Sequence, residues 1–248
     1  MDVGPLITMI IAGFAAGAFL AFIFRHMPAV WLLDYQDANL SVAKQAQRNL
    51  TFFPGILLLM LGDGLIFATG WLFLGSASAM PAVLYIAQPL LLIIVSDLKT
   101  RIIPDQFVLA LLPGGIFLWA VDGFAGKPSW GTSILLRLLA GLLGGFLLYL
   151  CGWAAEKIMH REAMGMGDVK LLAACGFLTG LSELPYLIFL AFITAAVVAI
   201  PLLIRRIWRP NSDPELAFGP YIALATMLVL LLSRQIHDLW ALYLSLAL

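Results

Sequence analysis

Eight apolar stretches, all but the short sixth near the length of a bilayer crossing, leave this chain few folds to choose from. They run at about 5–24, 52–74, 81–96, 104–121, 132–156, 168–181, 184–204 and 217–233. About twenty apolar residues suffice to cross the hydrocarbon of a membrane. A backbone immersed there must satisfy its own hydrogen bonds, which a helix does within one segment. The expected fold is therefore all-α, a polytopic membrane helix bundle of about eight transmembrane helices. No soluble domain, repeat or low-complexity tract interrupts the stretches, so residues 1–248 read as a single integral-membrane domain. Composition agrees: charged residues are only 11% of the chain, against about 25% in a soluble domain. The formal net charge is zero and no basic run is present. Membrane lipid is an expected partner and nucleic acid is not.

Charge placement orients the bundle. Met1-Asp2 offers no positive lead-in, and Arg25 follows the first apolar run. That run thus reads as a membrane helix with its N-terminus outside, and not as a cleavable signal. The inside segments then hold Arg25, Lys44, Arg48, Lys99, Arg101, Lys157, Arg161, Lys170, Arg205, Arg206 and Arg209. Only Lys127, Arg137 and Arg234 remain outside, as the positive-inside rule requires. Asp97 closes the third span on the inside, and Asp168 opens the sixth after two further crossings. Both acids are expected at one face and at similar depth.

These two carboxylates are the candidates for chemistry. Asp168 stands in Ala163-Met164-Gly165-Met166-Gly167-Asp168-Val169-Lys170, at the mouth of an apolar segment. Gly165 and Gly167 remove side-chain bulk beside it and would leave room for a substrate backbone. An acid entering a membrane helix is expensive and is kept mainly where it acts. A pair of acids is also the minimum equipment for hydrolysing a peptide, one acting as base and the other as acid. Asp105, directly after Pro104, reads instead as a helix cap. Lys170 is expected to lean toward Asp168 or toward lipid phosphate.

Other polar residues carry weaker signals. Asp63 falls near mid-membrane, where an acid costs about 3 kcal/mol. It is expected to meet Arg137 or to line a cavity. Cys151 and Cys175 lie in apolar segments and read as buried thiols, while the scattered His26, His160 and His237 lack ligand spacing, so no metal site is expected. The loop at about 26–51 reads either as a surface helix or as a plain connector. Acids in apolar surroundings also suit a cation-coupled transporter, although no inverted repeat is visible and the best acids lie at one face.

Asp97, in a run ending Ile103-Pro104-Asp105, and Gly165-Met166-Gly167-Asp168-Val169-Lys170-Leu171 together resemble the prepilin peptidases. These are membrane-embedded aspartic proteases of the GxGD type. Ala217-Phe218-Gly219-Pro220-Tyr221 is similar to that family's Phe-Gly-Pro segment, and Gly17-Ala18-Phe19-Leu20 with Arg25 and Pro28 is similar to its first helix and exit. The resemblance implies Asp97 and Asp168 as catalytic residues, with Gly165, Gly167, Lys170, Gly219 and Pro220 in supporting roles. It further implies cleavage of leader peptides from type IV prepilin-like or pseudopilin precursors at the cytoplasmic face of a bacterial inner membrane, with a periplasmic N-terminus. No cofactor is implied for proteolysis. Family members that also methylate the new N-terminus carry paired Cys-x-x-Cys motifs in a larger first cytoplasmic loop. The loop here is short and has no cysteine, so S-adenosylmethionine is expected only if methylation is retained. Asp34, Asp37 and Glu162 are the acids that could attract a basic leader.

Overall fold

A computed structural model describes residues 3–33, 40–124, 130–160, 165–208 and 217–247. Asp34, Asp37 and Glu162 lie outside the described residues. Among those described, all regular structure is helical: α1 (Val3–His26), α2 (Leu40–Arg48), α3 (Leu57–Leu74), α4 (Met80–Thr100), α5 (Asp105–Phe124), α6 (Trp130–Met159), α7 (Met166–Thr179), α8 (Leu184–Trp208) and α9 (Gly219–Ala247). Every expected span is a helix. Among the described residues six segments are long and apolar enough to cross a membrane; α7 has 14 residues, and the apolar part of α9 is Gly219–Ser233. At the end of that part α9 bends, with non-helical backbone at Leu232.

Lipid offers no hydrophobic drive for helices to associate, so close backbone packing must do it. Two helix pairs use small residues in this way. Gly13 and Gly17 on α1 lie flat on α3, where an added Cβ would come within 2.7 Å of the carbonyl oxygens of Asp63 and Leu59 respectively. On the other side, Gly176 of α7 meets the Ala140 carbonyl of α6, and Gly141 of α6 meets the Ala173 carbonyl of α7. Between the pairs stands α4, the most enclosed span, with 61% of its apolar window buried. It packs against α3, α5 and α9. The short α7 is sealed along its length from Leu171 to Thr179.

Of the two readings of the first inside loop, the helical one holds where the loop is described: α2 forms, and it packs on its neighbours. After a single turn at Ala29–Leu32, α2 folds back onto the end of α1. Gln47 is buried and donates from Nε2 to the carbonyls of Phe24 (3.2 Å) and Met27 (2.8 Å). Lys99 Nζ donates to the Asn49 carbonyl at 3.3 Å, tying the same loop to α4. Trp31 stands edge-on to Phe107 of α5 at 6.2 Å.

Asp63 does not meet Arg137. It is fully buried in α3, and its Oδ1 accepts from Gln88 Nε2 of α4 at 3.1 Å. Arg137 is used elsewhere: it donates to the Phe177 and Leu178 carbonyls at the end of α7 and pairs with Asp122 at 3.4 Å. The physical reason is axial position, since Gln88 stands beside Asp63 and Arg137 serves the carbonyls left open at a helix end. Cys175 is buried, whereas Cys151 is exposed on the outer surface of α6.

Candidate active site

The site forms where three helix ends meet. Asp97 is in the last turn of α4, which continues to Thr100, one turn beyond the expected end of the span. Its carbonyl accepts from the Arg101 N–H at 2.9 Å, and Arg101 takes a left-handed conformation with φ 56°. That reversal stops the helix. Ser96 Oγ then donates to the Ile102 carbonyl at 2.6 Å, bringing the exit strand back over the helix end. The segment Ile102-Ile103-Pro104 leads into α5, whose first turn is set by bonds from the Phe107 and Val108 N–H groups to the Pro104 carbonyl.

Asp168 lies in the first turn of α7. Gly165 is the N-cap, in an extended conformation, and its carbonyl accepts from the Asp168 N–H at 3.2 Å. Gly219 opens α9, and its backbone N–H faces the Asp97 carboxylate. Free N–H groups at a helix start favour an anion. Pro220 is buried in that first turn, where a residue without an N–H loses nothing.

Asp97 is only 4% exposed and lies within electrostatic reach of both Asp168 and Arg101. Among the described residues, Oδ2 of Asp97 and Oδ1 of Asp168 are buried without a hydrogen-bond partner. Buried polar atoms are nearly always satisfied. Two neighbouring carboxylates that each leave an oxygen unpaired form a pocket of acceptors suited to a water or a shared proton.

Ile103 was not singled out by sequence reasoning, yet it sets the spacing. A Cβ at Gly167 would lie 3.2 Å from Ile103 Cβ, and one at Gly219 would lie 2.8 Å from Ile103 Cδ1 and 2.6 Å from Asp97 Oδ2. One apolar side chain therefore touches both motif glycines. The room expected beside Gly167 is filled by Ile103, while at Gly165 an added Cβ would meet nothing nearer than Asp168 Oδ2 at 3.9 Å. The available signal was an apolar pair stranded in a helix break, Ile102-Ile103, between two acids.

Lys170 bonds neither to Asp168 nor outward alone. Its Nζ pairs with both Asp105 oxygens, at 2.9 and 3.0 Å. Asp105 stands in the first turn of α5 and also fastens α5 to the first turn of α7. The pair is half exposed, and its attraction is correspondingly screened. Among the described residues no group of three or more His, Cys, Asp and Glu side chains gathers as metal ligands would.

Residues 82–200, which include both acids, match the model of the type IV leader peptidase family. The chain belongs to that family. It is similar to a prepilin leader peptidase/N-methyltransferase of Dickeya chrysanthemi, 37% identical over 55% of this chain and 45% of the relative. A protein of the same description from Aeromonas hydrophila is 32% identical over 70% of this chain and 54% of the relative. One from Pectobacterium carotovorum subsp. carotovorum is 32% identical over 68% and 54%. The chain spans about half the length of the curated relatives it matches. No solved structure matches it. Gly219 and Pro220 fall beyond the matched family region.

Proposed function

We propose that this chain is a membrane aspartic endopeptidase that removes the leader from type IV prepilin-like or pseudopilin precursors. The observation that carries the reading is the convergence of Asp97 and Asp168, from different helices, with one buried oxygen on each left unpaired. Family membership supports the same chemistry. Asp97, Asp168, Gly219 and Ile103 meet at the end of the bundle that charge asymmetry assigns to the cytoplasm. The site then faces the cytoplasm from a bacterial inner membrane, with the N-terminus periplasmic.

In this mechanism the two carboxylates hold one proton between them, because neighbouring carboxylates cannot both ionise cheaply, and the proton belongs to the pair. The ionised member takes a proton from a water as that water attacks the scissile carbonyl. The protonated member donates to the carbonyl oxygen, and the tetrahedral intermediate collapses as the leaving amine gains a proton. No metal or covalent intermediate takes part. Gly219 keeps a side chain away from Asp97 and turns its N–H toward that carboxylate. Gly165 leaves the approach to Asp168 open to an extended substrate backbone. Lys170 acts through Asp105, holding α5 to α7, and does not touch the substrate. The single domain provides the peptidase; with no cysteine in the 26–51 loop, methylation with S-adenosylmethionine is not part of the proposal.

The test is to incubate the purified protein with several candidate precursors and read cleavage position and N-terminal mass together. Cleavage at the leader junction, giving an unmethylated product, is expected. It should fall about a thousandfold or more in Asp97→Asn and in Asp168→Asn. Intact precursors throughout, with folded protein, would overturn the reading.

A further inference from the structure

A second polar concavity lies at the same end of the bundle, away from the two acids. It has a volume of about 340 Å3 and is lined by Arg25 and His26 from the end of α1 and by Lys44, Gln47 and Arg48 from α2. Lys44 and Arg48 are one helical turn apart and therefore share a face of α2. Gln47 fixes the geometry by its two bonds to the carbonyls of α1. Three permanent cations thus face one cleft whose lining, among the described residues, contains no carboxylate. None of the three forms an ion pair among those residues. The negative end of α1 offsets only about half a charge.

The wall below the cleft is apolar and aromatic. Phe19 and Phe22 are 61% and 56% exposed on α1. Their rings stack at 6.5 Å, and Phe22 is followed by the His26 ring at 4.1 Å. His26 is held upright by an Nδ1 bond to the Phe22 carbonyl at 2.9 Å. The aromatic ladder starts on the exposed flank of an apolar helix and ends at the cationic cleft. An anion with an attached hydrocarbon chain matches both parts; a free phosphate would use only the upper one.

We propose that this cleft binds the phosphate of an anionic phospholipid, with an acyl chain lying along Phe19 and Phe22. The lipid anchors the α1–α2 corner, and through the Lys99–Asn49 link its headgroup marks the level of the membrane surface on the side of Asp97. This assignment rests on the cleft alone and stands whether or not the chain is a peptidase.

Native mass spectrometry of the protein in neutral detergent tests it, titrating phosphatidylglycerol, phosphatidylcholine and glycerol 3-phosphate. Retention of phosphatidylglycerol well above the other two is expected. Each removed cation should weaken it about fivefold, so Lys44→Gln/Arg48→Gln should lose about 25-fold. Lys44→Arg/Arg48→Lys should keep binding, and so should Lys157→Gln, whose Nζ sits over Trp153 at the far end of α6. The proposal is overturned if phosphatidylcholine binds equally, if glycerol 3-phosphate binds as tightly as the lipid, or if the double glutamine variant, melting like the parent, retains phosphatidylglycerol. Equal loss in Lys157→Gln would also overturn it, because binding would then follow net charge and not this cleft.

Discussion

Asp63 and Asp97 are both carboxylates inside apolar helices, yet only one stands where chemistry can reach it. Asp63 is the more deeply buried, at 0% against 4% exposure. It sits mid-helix, walled by the backbone of α1 at Gly13 and bonded to Gln88. Asp97 sits in a last turn, faced by the N–H of Gly219 and by a second acid. Burial alone does not mark a reactive acid in a membrane. Among the described residues each also leaves its Oδ2 without a hydrogen-bond partner, so the neighbour decides: an amide faces the Asp63 carboxylate, and a second carboxylate faces that of Asp97.

The sharpest way to break that contrast is to make the same substitution at both. Asp97→Asn should cut leader cleavage about a thousandfold, whereas Asp63→Asn, whose amide oxygen still accepts from Gln88, should leave it within about threefold. Comparable losses in single-turnover cleavage would mean that Asp63 belongs to the chemistry. Next in size is Gly219→Ala. A Cβ would sit 2.6 Å from Asp97 Oδ2, so the carboxylate must move, and cleavage should fall about a hundredfold while the melting curve stays near that of the parent. Gln88→Leu should do the reverse. Leaving Asp63 without its donor should destabilise the protein by about 1–3 kcal/mol with little change in cleavage by the folded fraction. The smallest effect is expected at Lys170→Gln, which removes a half-exposed ion pair of about 0.2–1 kcal/mol and should slow cleavage less than about threefold. A loss as large as that of Gly219→Ala would place Lys170 at the substrate.

Much of this arrangement is legible in the residues because membranes restrict the choices. Apolar length sets the helices, and the parity of crossings puts Asp97 and Asp168 at one end before any contact is known. Side-chain partners are less legible because they depend on helix rotation. Lys170 and Asp105 are 65 positions apart, and periodicity does not say that α5 and α7 turn their first residues toward each other. Asp63 and Gln88 could have been paired: a lone polar residue in Ile86-Ala87-Gln88-Pro89 and a lone acid in the preceding span need one another in lipid. Ile103 carries no charge and no motif of its own. Its role exists only once two glycines have closed on it.

The most direct test of the central claim is a double-mutant cycle on single-turnover cleavage by Asp97→Asn, Asp168→Asn and the double variant. Groups that act as a unit do not add. If the two carboxylates work on one water, the double variant should be no slower than the worse single variant. Losses that multiply, or a folded single variant that cleaves at the parent rate, would show that they do not work together.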